Sequence, residues 1–272
     1  MFTPKPIAFV LAATHYGSMI VNRHDYRIVD ENQAYGVGHQ LLNTSQFDSQ
    51  EIAFSSNLLT LCRRYGGDGV VVLDGGANIG AHTLAWARHM QGWGCVRAYE
   101  AQERVYYALA GNIALNNCMN ARVHLAALGR QVGTLEIPQP DYHQPASFGS
   151  LELRQASSNE YVGQAISYKK EDMVEVPMTT VDALSLTRLD FFKLDIEGME
   201  IEALEGARQT IERCLPILHI EQIKCDQVAL LALLSDLGYQ TFNLGMNMLA
   251  VHKTSPLLAH FTQTDTRLEF RL

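Results

Sequence analysis

A chain of 272 residues, 47% of them hydrophobic and 18% charged, can bury a full core in one large or two small domains. Its formal charge is −8 and no run of Lys or Arg exceeds two (Arg63-Arg64 and Lys169-Lys170), which argues against nucleic acid as a partner. No apolar stretch reaches the roughly 18 residues of a membrane span. Five scattered cysteines (Cys62, Cys95, Cys118, Cys214 and Cys225), never in C-x-x-C spacing, speak for reduced thiols in a cytoplasmic protein and against a zinc site.

The first 69 residues precede the first core strand and read as an N-terminal extension or lid. In the opening MFTPKPIAFVLAATHYGS one Lys precedes a seven-residue apolar run, the lower limit of a signal-peptide core. Further on, SQEIAFSSNLLTLCRRY predicts a helix with Ser49 as its N-cap. From residue 70 to 272 strand-like and helix-like segments alternate, the pattern of an α/β domain whose parallel sheet is covered on both faces. Strands are predicted near 70–74, 95–100, 121–126, 190–196, 215–221, 239–244 and 248–252. Helices are predicted at about 80–91, 103–117, 199–213 and 225–237, the last with apolar positions 228, 231 and 232 and with Gly238 as C-cap. Residues 127–189 interrupt the alternation with TLEIP, PDYHQPASFGSLEL and VEVPMTTVDAL. A connection of this length inside a compact domain is usually functional or mobile.

The most informative segment is VVVLDGGANIG at 70–80, an apolar strand, an Asp at its end, and a turn that hands over to the helical AHTLAWARHM. A dinucleotide fingerprint needs G-x-G-x-x-G, and Gly75, Gly76 and Gly80 do not fit it. The pattern is D-x-G-x-N-x-G, with Asn78 at a position where the left-handed conformation remains accessible. A carboxylate at Asp74 repels a pyrophosphate and attracts an ammonium, such as that of S-adenosylmethionine. Glu100 ends the next strand, CVRAYE, 26 positions later, where an acid accepts the hydrogen bonds of both ribose hydroxyls of an adenosine ligand.

These pieces, together with AYEAQERVYYALAGNIALNN, VPMTTVDAL, LPILHIEQ, LGYQTFNL and above all LDFFKLDIEGMEIEALEGA at 189–207, resemble the FkbM-type S-adenosylmethionine-dependent methyltransferases. The resemblance covers roughly 70–252 and is weaker over the first 69 residues. It implies a class I methyltransferase fold: a Rossmann-like, seven-stranded, mostly parallel sheet with helices on both faces. It also implies methyl transfer, typically to oxygen, on a sugar, glycan or other metabolite, with S-adenosylhomocysteine as product. Donor contacts are expected from Asp74, Gly75, Gly76, Ala77, Asn78, Gly80, Glu100, Ala101, Ala127 and Asp195. Partners beyond a small-molecule or glycan acceptor are limited to another copy of the chain, and 127–189 is expected to help cover the acceptor.

In FFKLDI alternation places Phe191, Lys193 and Asp195 on one face and Phe192, Leu194 and Ile196 on the other. A Lys in a central strand needs a partner, and Asp195 or Glu221 can serve. In the resembled strand order Asp74, Asp195 and Glu221 end adjacent strands, where crowding raises at least one carboxyl pKa unless a cation intervenes. Catalytic candidates are Asp195, Glu221, Glu197 and Lys193, with His219 and His252 behind them. A purely structural pairing of Lys193 with the acids, and helix capping by Glu197 and Glu200, are the alternatives. Asn112 and Asn116 read as structural. No metal ligand is assigned; magnesium on Asp195 and Glu221, a non-catalytic adenosine-binding module and a nicotinamide oxidoreductase are the less favoured readings.

Overall fold

The structure, a computed structural model, describes residues 7–30, 33–263 and 268–271. Two hairpins come first: β1 (Phe9–Thr14) with β2 (Gly17–Asn22), and β3 (Arg27–Asp30) with β4 (Gln33–Tyr35). Helices α1 (Val37–Thr44) and α2 (Ser49–Gly66) lead into β5 (Val70–Gly75), α3 (Ala81–His89), β6 (Gly94–Glu100), α4 (Glu103–Leu115) and β7 (Ala121–Leu125). The long connection carries β8 (Ala127–Leu128), β9 (Gly133–Pro138) and β10 (Met173–Thr179), which form a separate three-stranded sheet in the order β8-β10-β9. The chain then runs through β11 (Phe191–Leu194), α5 (Glu200–Glu205), α6 (Arg208–Cys214), β12 (Ile217–Glu221), α7 (Gln227–Asp236), β13 (Tyr239–Leu244) and β14 (Asn247–His252), and a last hairpin, β15 (Phe261–Gln263) with β16 (Leu268–Phe270).

The seven expected strands form one sheet in the order β13-β14-β12-β11-β5-β6-β7. All pairings are parallel except those of β14, which runs antiparallel to both β12 and β13. Side-chain alternation divides the core. Phe191 joins Val70, Val72 and Ile217 beneath α2 and α3, with Leu58, Leu59, Leu84 and Trp86 fully buried there. Phe192 and Leu194 join Leu73, Leu218 and Ile220 on the other face, against α5, α6 and α7. Because the strands β5, β11 and β12 are neighbours, their carboxyl ends share one edge, the place where open α/β sheets bind ligands.

Three local expectations are corrected. The helix expected over 199–213 is two helices, broken at Gly206, where an added Cβ would lie 2.1 Å from the carbonyl oxygen of Gly129. Close approach to the end of β8 therefore takes precedence over helix continuity. Ser49 is the first helical residue of α2, with Asp48, in the left-handed region at φ 38°, as N-cap. In α7 the buried stripe is Leu230 and Leu234, continued by Leu237 at the C-cap, while Val228 is 79% exposed. The phase is set by the N-cap Asp226, whose side chain accepts from the backbone N–H of Val228 and Ala229, and Gly238 follows the helix at φ 81°.

Asn112 and Asn116 staple the N-terminal hairpin to α4. Asn112, with no exposed surface, accepts from the Ile20 N–H (2.5 Å) and donates to the carbonyls of Ile20 (3.2 Å) and Ile79 (2.8 Å). Asn116 donates to the Ser18 carbonyl (2.8 Å). Asn112→Ala leaves buried backbone groups without partners and is expected to cost about 1–3 kcal/mol, read as a lower urea midpoint at unchanged m-value. An unshifted midpoint would remove the staple.

Candidate active site

The turn after β5 is built by two left-handed residues, Gly76 at φ 75° and Asn78 at φ 50°. At Gly76 a Cβ would sit 1.7 Å from the Asp195 carbonyl oxygen, so the two strand-end loops touch only because this residue is glycine. The turn is knitted to β6: Gly76 and Ala77 N–H both donate to the Tyr99 carbonyl (3.0 Å), and Asn78 N–H donates to Glu100 Oε2 (3.0 Å). Glu100 Oε1 accepts from Gln102 N–H (2.8 Å). Burial outweighs these backbone hydrogen bonds and pushes the Glu100 carboxyl up to about 7.

A cavity opens above this turn. Gly76, Ala77, Asn78, Glu100, Ala101 and Ala127 of the expected donor set line it, together with Tyr99, Ala126 and Leu128. Gly149, Leu151 and Leu153 of the long connection close one side. Asp74, Gly75 and Gly80 do not line it; they lie behind the wall. Asp74 is fully buried, accepts from Thr83 Oγ1 (2.5 Å) through Oδ2, and stands in register beside Lys193. Gly75 leaves room for Leu128 and Leu194, and Gly80 caps α3 against Leu109.

At the other end of the cavity stand Lys193, Asp195, Glu197 and Glu221. Lys193, its side chain 5% exposed, donates to Asp195 Oδ2 at 2.9 Å. Burial opposes its charge, yet Asp195, Asp74 and Glu51 together hold it protonated well above the usual lysine range. Glu197 is left-handed at φ 58° and is followed by Gly198 at φ 96°, a reversal that turns its carboxylate to Lys224 Nζ at 2.5 Å. Glu200, fully buried, serves as the cap of this turn: it accepts from the N–H groups of Ile196 (2.9 Å) and Gly198 (3.0 Å). Oxygens of Asp195, Glu197 and Glu221 all come within 4.8 Å of one another. Burial and the Asp195 charge raise Glu197, and the same two causes push Glu221 up to about 8. The buried Glu221 Oε2 has no hydrogen-bond partner among the described residues.

Glu51, on α2, is the residue the sequence reading missed. Its Oε1 lies 3.1 Å from His82 Nε2 and 3.9 Å from His219 Nδ1, and its Oε2 accepts from Asn247 Nδ2 (2.8 Å). Burial alone would raise its pKa; the hydrogen bond and charge of His82, with His219 and Lys193 behind, bring it down to about 2. The available signal was its phase: Glu51 continues the buried α2 stripe of Ser55, Leu58 and Cys62. His219 is buried, lowered to about 4 chiefly by that burial, and stacks on Phe191, as a core histidine does. His252 is remote from the cavity, bonded to Thr254 Oγ1 (2.8 Å).

The family model for the methyltransferase FkbM domain matches residues 74–241, and the chain belongs to that family. A curated relative, "Methyltransferase 1" of Beauveria bassiana (strain ARSEF 2860), is 24% identical over 147 residues, covering 51% of this chain and 59% of the relative. Among solved structures, a methyltransferase FkbM from Methylobacillus flagellatus KT is 20% identical with a TM-score of 0.48, covering 68% of this chain and 44% of its own. A precorrin-6y C5,15-methyltransferase from Geobacter metallireducens GS-15 is 13% identical with a TM-score of 0.42, covering 76% and 89%. The chain thus spans less than two thirds of the Beauveria and Methylobacillus proteins.

The pH dependence of Glu51 follows from its sign. A folded pKa of about 2, below the ordinary 4.5, gives a contribution that is complete above about pH 4.5 and lost as pH falls toward 2. The stability gap between the wild type and Glu51→Gln, from urea unfolding, is therefore expected to narrow by about 2 kcal/mol between pH 5 and pH 3. A pH-independent gap would mean that Glu51 carries no electrostatic role.

Proposed function

We propose that this protein is an S-adenosylmethionine-dependent methyltransferase that methylates a hydroxyl group of a metabolite or glycan. The observation that carries the reading is a single cavity with a hydroxyl acceptor, Glu100, at one end and three carboxylates, Asp195, Glu197 and Glu221, at the other. The donor set suits such a cofactor chemically. Glu100 keeps lone pairs for ribose hydroxyls, Ala101, Ala126, Ala127 and Leu128 offer an apolar wall to adenine, and the acid edge suits a cationic group. Bound S-adenosylmethionine supplies an electrophilic methyl group on a sulfonium.

The protein's own task is then to hold an acceptor hydroxyl in line and to remove its proton; positioning of this kind is worth on the order of 7–11 kcal/mol. Asp195 is committed to Lys193, and Glu197 to Lys224. Glu221, raised to about 8 and with an unpaired oxygen, is the carboxylate left to act as general base. Residues of the N-terminal segment, Tyr35, Phe47, Asp48 and Glu51, complete the wall and act as its lid. The five free cysteines suit a reducing, cytoplasmic setting. A magnesium ion among Asp195, Glu197 and Glu221 is the second reading, favoured by the proximity of their oxygens and weakened by the two lysines already paired there. Activity that survives chelation by EDTA would dismiss it.

Glu100→Ala should weaken S-adenosylhomocysteine by about 1.5–3 kcal/mol in calorimetry, the range for hydrogen bonds to a charged group. A loss below about 0.5 kcal/mol takes Glu100 off the ribose.

Glu221→Gln should bind S-adenosylhomocysteine normally while turnover falls about 10²–10⁴-fold. In the wild type kcat/KM should rise with pH up to a limb near 8, because the base must be deprotonated, and that limb should vanish in the variant. Retained turnover with the limb intact would transfer the role to Asp195.

A further inference from the structure

A second concavity, a groove of about 1070 Å³, adjoins the cavity and shares Tyr35, Glu197, Glu221 and Met246 with it. One wall is the β3–β4 hairpin, the other the segment 150–160, and its floor is the chain just after β12. The walls are tied together by a chain of ion pairs. Arg27 pairs with Glu160 (2.6 Å), and Lys224 pairs with both Glu160 (2.9 Å) and Glu197 (2.5 Å) and donates to the Ser150 carbonyl (2.8 Å).

We propose that this groove is the acceptor site and that it selects an elongated, uncharged, polyhydroxylated molecule, delivering one hydroxyl to Glu221 and refusing carboxylated or phosphorylated counterparts; this rests on the methyl-donor reading of the adjoining cavity. Three observations converge. Size is the first: the volume lies just above the roughly 300–1,000 Å³ usual for small-molecule sites, more than one ring fills. Charge is the second. Four carboxyl groups, Glu152, Glu160, Glu197 and Glu221, line it together with Arg27, Lys224 and His39, and both Arg27 and Lys224 are already in ion pairs with those acids. An anionic acceptor would have to displace Glu160 or Glu197 from Arg27 and Lys224 and would face Glu152 and Glu160 besides, and like-charge juxtaposition is a strong means of rejection. Surface chemistry is the third. Gln33, Asn159 and Ser158 can each donate and accept, as hydroxyls require, while Tyr35, 44% exposed, and Met246, 58% exposed, offer apolar contact at the mouth of the reactive cavity.

The test uses the intact protein saturated with S-adenosylhomocysteine, with maltotetraose as neutral probe and maltotetraonic acid as its carboxylate counterpart. Calorimetry should give saturable binding of the neutral probe and binding at least about tenfold weaker for the acid. Ser158→Trp on one wall and Val29→Trp on the other, both at exposed positions, should each weaken the neutral probe about tenfold and leave S-adenosylhomocysteine within about twofold. Equal or tighter binding of the acid overturns the charge selection. Undiminished probe binding in both Trp variants, or no probe binding by a protein that still binds S-adenosylhomocysteine, overturns the groove. Failure to bind S-adenosylhomocysteine at all overturns the donor reading and this inference with it.

Discussion

A buried ammonium at the centre of the sheet is the constraint on which the site depends. Lys193 lies on β11 between Asp74 of β5 and His219 of β12 in register, with 5% of its side chain exposed. An unpaired charge there would cost several kcal/mol, so the surrounding chain must supply acids. Asp195 comes from two residues along the same face, Asp74 from the adjoining strand, and Glu51 from a helix that precedes the sheet altogether. The position of α2 is thus tied to electrostatics as well as to the burial of Leu58 and Leu59.

Satisfying Lys193 divides the acids into two kinds. Those that face it, Asp195, Asp74 and Glu51, serve as its counter-ions. Those beyond its reach crowd one another: Glu197 finds Lys224, and Glu221 is left with a raised pKa and an oxygen that no group of the described chain engages. The left-handed backbone at Glu197 is the local cost of this arrangement, held in place by Glu200 beneath the turn. A cationic ligand in the cavity would relieve the crowding, so on the proposed reading donor binding and the acidity of Glu221 would be coupled through one set of charges.

Much of the cavity around the β5 turn was legible in the sequence because it is local. All seven sheet strands sit where alternation and apolar runs placed them, the left-handed Asn78 is where the motif puts it, and Glu100 reaches the cavity as its strand-end position implied. Pattern reading failed where a distant contact decides. The break at Gly206 depends on Gly129, the phase of α7 on the cap at Asp226, and the withdrawal of Asp74 behind the wall on Thr83 and Lys193. Glu51 was hidden for the same reason, since its partners His82, His219 and Asn247 lie 31 to 196 positions away.

The groove beside the cavity is organised by a different kind of contact. Its walls are joined by Arg27, Glu160, Glu197 and Lys224, four residues scattered over the chain with no periodicity linking them. The family match begins at residue 74, so the β3–β4 hairpin and α2 lie outside it. Strand register fixes the β5 turn, Glu100 and the carboxylates at the sheet edge, whereas the groove walls at residues 27–30, 33–35 and 150–160 are hairpin and connecting loop. Side chains there can change without moving a strand tip. On the proposed reading acceptor selectivity could therefore be altered on this scaffold while the methyl-donor chemistry is kept; the residues common to cavity and groove are Tyr35, Glu197, Glu221 and Met246, and of these Glu197 is the one that Lys224 holds at the boundary.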